Sequence, residues 1–124
     1  MIKILLAEDN EMNRDMLGRR LRRKGFEVVE AQDGEMAVIH AKKTLPDIIL
    51  MDLSMPVLDG WEATRMLRDD PTTQDIPVIA LTAHAIKSDR DRAIESGCNE
   101  VITKPFEFDD LLESIARWVG NEEQ

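Results

Sequence analysis

Short hydrophobic runs alternate along the chain with longer stretches in which hydrophobic residues recur every three or four positions. Short continuous apolar runs are typical of strands that lie inside a parallel sheet and are buried on both faces. Recurrence every three or four positions is typical of helices that bury one face. The pattern predicts five strands, over residues 2–7, 27–31, 47–52, 77–82 and 99–103.

Five helices are predicted to follow these strands, because capping residues stand where the helical periodicity begins. Four residues of the capping type are Asn10, Asp33, Asp59 and Ser88. Each can accept a hydrogen bond from a free N–H group of a first helical turn. Gly25 and Gly97 can end the first and fourth helices, since glycine readily adopts the left-handed conformation found there. The predicted helices span residues 11–24, 34–43, 60–68, 89–96 and 108–119.

Alternating strands and helices predict an α/β domain, with a parallel sheet and helices on both of its faces. Right-handed crossovers bring the carboxyl ends of all the strands to one edge of that sheet. The chain has 124 residues, enough for one such domain with its own core. We assign residues 1–120 to this domain and expect residues 121–124 to fray as a C-terminal tail.

Polar residues follow the predicted strands at this edge: Glu8 and Asp9, Asp52, Thr82, and Lys104. Ligands of open α/β sheets bind beyond the carboxyl ends of the strands. Asp52 is the candidate reactive group, because it ends the apolar run 48–51 abruptly. Taken singly, Asp9 is equally explained as a cap residue and Lys104 as a solvated lysine. It is the occurrence of all five residues at one edge of the sheet, and not any one of them alone, that indicates a functional site.

The chemistry of this set suggests phosphoryl transfer. Three nearby carboxylates repel one another unless a cation lies among them, and oxygen ligands suit Mg²⁺. An aspartate carboxylate can attack phosphorus to form an aspartyl-phosphate. A lysine and a threonine hydroxyl could then stabilise the charge on the transferring group.

Composition narrows the class of protein. The chain has 25 acidic and 16 basic residues, a net charge of -9, which argues against direct nucleic-acid binding. One cysteine, Cys98, cannot form an internal disulfide, and no run has the length of a signal peptide or a membrane span. We therefore expect a cytoplasmic protein. The first helix nevertheless has a basic outer face, interpreted as a solvated surface or a docking face: Arg14, Arg19, Arg20, Arg22, Arg23 and Lys24.

The chain resembles the receiver domain of two-component response regulators. The most specific motif is Asp52-x-x-Met55-Pro56-x-x-Asp59-Gly60, accompanied in order by Glu8-Asp9, Thr82-Ala83 and Lys104-Pro105-Phe106. The resemblance implies a flavodoxin-like (βα)5 three-layer sandwich with a five-stranded parallel sheet of order 2-1-3-4-5. It also implies that Asp52 accepts a phosphoryl group from a histidine kinase or a histidine phosphotransfer protein.

The resemblance further implies the roles of the other site residues. Mg²⁺ would be bound by Asp9, Asp52 and the backbone carbonyl of Ser54, with Glu8 acting through water. Lys104 would pair with the phosphoryl group, and Thr82 would shift toward it. The protein would then be a phosphoacceptor that assists its own phosphorylation and dephosphorylation, and not an enzyme with a separate substrate. The Lys104-Pro105 peptide bond is expected to be cis.

The resemblance also suggests partner surfaces. Docking of the phosphodonor would involve five residues: Asn13, Met16, Leu17, Pro105 and Phe106. The fourth and fifth helices with the fifth strand are a candidate surface for a phosphorylation-dependent dimer. Because the chain ends soon after the fifth helix, we expect either a stand-alone regulator or a receiver cut from a hybrid histidine kinase.

Val101 departs from the family pattern, since receivers commonly carry Tyr or Phe three residues before the conserved lysine. A valine has few rotamers and little bulk. We therefore expect the conformational signal to run through residues 82–88, with Val101 passive.

Other proteins of this fold remain as alternatives. A flavodoxin-like redox protein would bind the flavin phosphate after the first strand, where Glu8 and Asp9 would repel it. An aspartyl-phosphate phosphatase would favour a second acid at position 54, where this chain has Ser54. A degenerate receiver that is not phosphorylated would not need the full set of acids, threonine and lysine.

Overall fold

Five strands alternate with five helices in the part of the chain that the structure describes. The structure is a computed structural model, and it describes residues 1–53, 55, 57–83 and 87–119. The elements are β1 (Lys3–Ala7), α1 (Glu11–Arg23), β2 (Glu27–Ala31), α2 (Gly34–Thr44), β3 (Ile48–Asp52), α3 (Gly60–Arg68), β4 (Val78–Thr82), α4 (Lys87–Glu95), β5 (Glu100–Thr103) and α5 (Phe108–Val119).

The strands form one parallel sheet in the order β2-β1-β3-β4-β5. The predicted order, with β1 and β3 at the centre, is therefore confirmed. Four of the five strands begin one residue later than predicted, which is the usual uncertainty of an element boundary. Among the described residues, no helix is both long and apolar enough to cross a membrane.

Two hydrophobic clusters cover the two faces of the sheet, because successive strand residues point to opposite sides. On one face, Leu5, Ile49 and Val78 pack with the buried residues of α2, α3 and α4. On the other face, Ile4 and Leu50 pack with those of α1 and α5. The three layers predicted from the alternating pattern are thus confirmed, and β1, β3 and β4 form their buried centre.

Three of the four predicted caps are confirmed. The side chain of Asn10 accepts a hydrogen bond from the N–H of Asn13 (2.9 Å), and Asp33 caps α2 in the same way. Asp59 caps α3 by accepting from the N–H of Glu62 (2.9 Å). These caps fix where each helix leaves the carboxyl edge of the sheet.

The cap predicted at Ser88 is wrong. Within the described residues α4 spans Lys87–Glu95, so Ser88 lies inside the helix and not before it. Serine and aspartate three positions apart are common both before and within a first turn, so their spacing alone misplaced the start of the helix. The helix ends at Glu95, and Gly97 follows with a φ of 111°, as its predicted terminating role requires.

Candidate functional site

The carboxyl edge of the sheet collects the residues that the sequence singled out. Glu8 and Asp9 follow β1, Asp52 ends β3, Thr82 ends β4 and Lys104 follows β5. The side chains of Glu8, Asp52 and Thr82 are almost fully buried, whereas Asp9 is exposed. The predicted clustering of these strand ends is therefore present.

Three carboxylates form the centre of this edge. Oxygen atoms of Glu8, Asp9 and Asp52 all lie within 4.8 Å of one another. Like charges at this spacing are unfavourable unless a cation lies among them. The ligand atoms are all oxygen, and one acid is open to solvent. This donor set fits a hard divalent cation such as Mg²⁺.

Lys104 lies between two of these acids. Its Nζ atom is 3.0 Å from Glu8 Oε1 and 3.0 Å from Asp52 Oδ2. Burial alone would lower the pKa of Lys104, but its ion pairs with Glu8 and Asp52 outweigh burial and raise that pKa above the ordinary value. The lysine is therefore a cation at neutral pH and neutralises part of the acidic cluster.

Glu8 differs from the other two acids in its environment. Burial raises its pKa above the ordinary value, and Asp52 adds to this effect while Lys104 opposes it. Both of its oxygens are engaged, since Oε1 binds Lys104 and Oε2 accepts from the N–H of Asn10 (3.1 Å). Glu8 is thus held in place from two sides.

The backbone around Asp52 is tightly packed. The residue is paired with Leu81 of β4, and the following Leu53 N–H donates to the carbonyl of Leu81 (3.1 Å). At Gly60, a Cβ atom would lie only 2.5 Å from the carbonyl oxygen of Asp52. Only glycine therefore allows α3 to begin this close to the end of β3.

Thr82 and Lys104 are connected through the backbone. Thr82 is paired with Thr103 of β5, and its carbonyl accepts from the N–H of Lys104 (2.7 Å). This pairing brings the lysine to the same edge as the acids. The Lys104-Pro105 peptide bond is cis, as predicted.

A groove of about 520 Å³ adjoins the acidic cluster. Glu8 and Lys104 are among the residues that line it. The rest of its wall includes all five residues predicted to dock a partner: Asn13, Met16, Leu17, Pro105 and Phe106. Met16 is 54% exposed, which favours the docking interpretation of this residue over a place in the core.

Two predictions at this edge lie outside the described residues. One is the backbone carbonyl of Ser54 as a metal ligand, and the other is the signalling segment 82–88, of which 84–86 are not described. Val101 itself is half-buried and lies opposite Ala80 of β4. It packs against the hydrophobic cluster that joins the sheet to α2, α3 and α4.

Sequence reasoning missed one residue near the site. Arg14 was assigned to the basic outer face of the first helix, but its side chain is only 15% exposed. Its Nη1 atom donates to the carbonyl of Glu8 (2.8 Å). The only available signal was its position one turn after Asn10, which does not reveal the direction of a long side chain.

The fold and this site define the class of the protein. An α/β sandwich of strand order 2-1-3-4-5, with acids and a lysine at its carboxyl edge, is a receiver domain of two-component signalling. The family described as the response regulator receiver domain matches residues 4–116, and the chain belongs to this family. This membership favours the receiver interpretation over a flavodoxin-like redox protein.

The similar proteins span stand-alone regulators and receivers of larger kinases. The polar-differentiation response regulator DivK of Brucella anthropi is 36% identical over 118 residues, which are 95% of this chain and 96% of that protein. The receiver domain of the sensor histidine kinase PA1611 from Pseudomonas aeruginosa is 40% identical with a TM-score of 0.90, covering 97% of this chain and 98% of that one. That structure has a magnesium ion coordinated in its active-site cleft.

A third similar structure includes a partner. The receiver domain of the Saccharomyces cerevisiae response regulator Ssk1 was solved with the histidine phosphotransfer protein Ypd1. It is 34% identical to this chain with a TM-score of 0.88, covering 94% of this chain and 88% of that one.

Proposed function

We propose that Asp52 accepts a phosphoryl group from a phosphohistidine of a kinase or a histidine phosphotransfer protein. The observation that carries this proposal is the position of Lys104 Nζ, 3.0 Å from both Glu8 and Asp52. It provides a fixed positive charge beside the oxygen that would attack. The cluster of three carboxylates within 4.8 Å supports the same proposal.

The transfer is a substitution at phosphorus. A carboxylate oxygen of Asp52 forms the new P–O bond while the P–N bond of the phosphohistidine breaks. The electron pair of that bond goes to the imidazole nitrogen of the donor. Lys104 stabilises the negative charge on the phosphoryl oxygens, and the hydroxyl of Thr82 can donate to one of them. Attack by water later releases inorganic phosphate and restores the carboxylate.

Mg²⁺ is proposed as the cofactor of this transfer. Asp9, Asp52 and the backbone carbonyl of Ser54 would ligate it, and Glu8 would act through water. Bound there, the ion would neutralise the acids and the charge on the transferring group. Glu8 suits the indirect role, because both of its oxygens are already bonded, to Lys104 and to the N–H of Asn10.

Asp52 is a better acceptor than its neighbours for structural reasons. It ends a central strand whose backbone is held on both sides, by β1 and by β4. Asp9 is exposed and suits a metal ligand, whereas Glu8 is fully engaged. The protein is therefore a phosphoacceptor that assists its own phosphorylation and dephosphorylation. We take residues 1–120 as the domain that does this, with a tail at 121–124.

The phosphodonor would dock on the groove beside the site. The groove is lined by both Lys104 and the exposed Met16, and Arg20 adds a positive charge to its wall. A partner with an acidic and apolar patch around its phosphohistidine would complement this surface. The Ssk1 receiver, which was solved with a histidine phosphotransfer protein, supports a partner of this class.

A phosphorylation-dependent dimer through α4, β5 and α5 is a further part of the proposal. The helix α4 carries an exposed hydrophobic residue, Ile94. Light scattering with Mg²⁺, with and without a phosphodonor, tests this assembly. A mass that stays monomeric under both conditions would exclude the dimer and leave the phosphoacceptor role unaffected.

The experiment that tests the acceptor is intact mass measurement after incubation with Mg²⁺ and acetyl phosphate. The wild-type chain should gain one phosphoryl group, and Asp52→Asn should gain none. Asp59→Asn is the matched control, because Asp59 caps α3 outside the cluster and asparagine caps equally well. The proposal is wrong if Asp52→Asn still gains the group, or if a chelator leaves the wild-type reaction unchanged.

A further inference from the structure

Arg14 binds the backbone at the site. It lies in the first turns of α1, and its guanidinium is turned inward with only 15% of the side chain exposed. Its Nη1 donates to the carbonyl oxygen of Glu8 at 2.8 Å. Its Nε is 3.5 Å from Glu30 Oε1 on β2. The arginine thus joins the neighbouring edge strand to the turn that carries two of the three acids.

The carbonyl of Glu8 belongs to the peptide unit between Glu8 and Asp9. A peptide unit is planar, so fixing its oxygen fixes the direction in which both flanking residues leave it. The N–H of Glu8 is held as well, by the carbonyl of Ala31 (3.0 Å). That N–H belongs to the preceding peptide unit, so Arg14 constrains the Glu8–Asp9 unit itself and acts on two acidic side chains through the backbone between them.

Glu30 in turn holds the guanidinium of Arg14. Its second oxygen pairs with Arg22 at 2.9 Å. Gly18 makes room for the carboxylate, because a Cβ atom there would lie 3.1 Å from Glu30 Oε2. The carboxylate therefore lies close to α1 and pairs with an arginine at each of its oxygens. This arrangement fixes the direction of Arg14 toward the Glu8 carbonyl.

We propose that Arg14 is a positioning residue for divalent-ion binding, acting through the Glu8–Asp9 peptide. The inference rests on the proposed function, since the acids must bind a divalent ion for their orientation to matter. Without Arg14, this peptide can rotate, and the acids must be reoriented when the ion binds. Affinity for the ion falls by the cost of that ordering. Residues that orient metal ligands typically change affinity by about tenfold or more.

The alternative is that Arg14 only ties α1 to the edge strand. Arg22 separates these two explanations, because it pairs with the same Glu30 and also donates to the carbonyl of Val28 (3.2 Å). It therefore ties α1 to β2 without a bond to the Glu8 carbonyl. A variant without Arg22 loses only a connection between α1 and β2. A variant without Arg14 loses such a connection and also the hydrogen bond that positions the Glu8 carbonyl.

The experiment measures the dissociation constant of Mg²⁺ alone by titration calorimetry, with the free energy of unfolding from urea denaturation alongside. Arg14→Met should bind Mg²⁺ about tenfold more weakly, and Arg22→Met should stay within about twofold of wild type. Both variants should lose similar stability. Arg14→Lys, which can still donate one bond to the carbonyl, should recover part of the affinity.

Three outcomes would overturn the inference. One is that Arg14→Met binds Mg²⁺ with wild-type affinity. Another is that Arg14→Met and Arg22→Met lose the same amount of Mg²⁺ affinity. If Arg14→Met does not fold, Arg14→Gln takes its place in both comparisons. The third outcome is an Arg14→Lys affinity for Mg²⁺ no higher than that of the variant without a cation at position 14. If the wild-type chain binds no Mg²⁺, the proposed function itself fails, which is a separate and recognisable result.

Discussion

Arg68 shows how a half-buried charge can be stabilised mainly by hydrogen bonds to backbone carbonyls. Its guanidinium donates to three backbone carbonyls, those of Gly97 (3.0 Å), Gln74 (3.0 Å) and Ile76 (2.7 Å). A fourth bond goes to the side chain of Asn99 (2.8 Å). Burial lowers the pKa of Arg68 below its ordinary value. One side chain therefore joins the loop before β4 to the turn before β5.

Replacing Arg68 should therefore destabilise the fold. Arg68→Met keeps much of the aliphatic stem but removes four hydrogen bonds, so we expect a loss of about 3 kcal/mol in the free energy of unfolding. Urea denaturation measures this loss. Arg65→Met on the exposed side of the same helix is the control and should change stability by less than about 0.5 kcal/mol. Equal effects of the two variants would contradict this account of Arg68.

Some features of the site could be predicted from the sequence at the level of single residues, and others could not. Asp52, Glu8 and Lys104 were predictable, because strand topology alone brings the ends of β1, β3 and β5 to one edge. The contact of Arg14 with the Glu8 carbonyl was not predictable, since it depends on the rotamer of a long side chain and on the space left by Gly18. Side-chain direction is set by packing, which periodicity does not describe.

At the scale of elements, β5 and α5 are joined by one carboxylate. Glu100 accepts hydrogen bonds from Ser114, Arg117 and Trp118, each at 2.7 Å. Burial acts to raise the pKa of Glu100, but the bonds from Trp118, Ser114 and the cationic Arg117 outweigh burial and lower it. The first residue of β5 is thereby fixed to the second half of α5.

This pKa shift predicts a pH-dependent contribution to stability. Because the pKa is lower in the folded state, the contribution of Glu100 is fully present above the unfolded value of about 4.5 and is lost as pH falls through the folded value. Glu100→Gln should therefore be less stable than wild type at pH 7, and the difference should shrink below pH 4.5. Urea denaturation across this range measures the effect.

The matched control for Glu100 is Glu113→Gln, which changes an exposed glutamate on α5, the helix to which Glu100 is bonded. Its difference from wild type should stay nearly constant over the same pH range. A stability difference between wild type and Glu100→Gln that does not depend on pH would contradict the claim that these hydrogen bonds lower the pKa of Glu100 in the folded state.

Element boundaries were predictable where a side chain caps a helix and less so elsewhere. Asn10, Asp33 and Asp59 each bond the N–H three residues later, so local sequence was sufficient to locate α1, α2 and α3. The start of α4 was misplaced at Ser88, because this helix is largely polar and, among its described residues, only Ala93 is buried. A helix with so small a buried face has few regularly spaced hydrophobic residues, so the periodicity of the sequence does not indicate where it begins.

For the whole molecule, the acidic edge concentrates negative charge that Lys104 only partly neutralises. The chain carries a net charge of -9, and three of its acids meet within 4.8 Å. A ligand that binds only the folded state stabilises it by about 2.7 kcal/mol when present at about 100 times its dissociation constant. Mg²⁺ should therefore raise the wild-type free energy of unfolding by an amount that grows with its concentration.

Asp9→Asn should reverse this behaviour. Without Mg²⁺ the variant should be more stable than wild type, because one of three mutually repelling charges is gone. With Mg²⁺ it should gain little, because a proposed ligand is lost. Thermal unfolding at several Mg²⁺ concentrations measures both effects. Glu95→Gln, at the far end of α4, is the control with the same charge change, and a matching response there would attribute the effect to net charge alone.

The two hydrophobic clusters bear on how this sequence can diverge. Volume lost at Leu50 can be regained at Leu111, which belongs to the same cluster, but not at Met51, which is adjacent in the chain and faces the other side of the sheet. Across an alignment of receivers, compensating exchanges of size should consequently pair positions within one cluster. Substitutions at positions of one cluster should therefore be nearly independent of substitutions at positions of the other cluster, although both clusters belong to the same sheet.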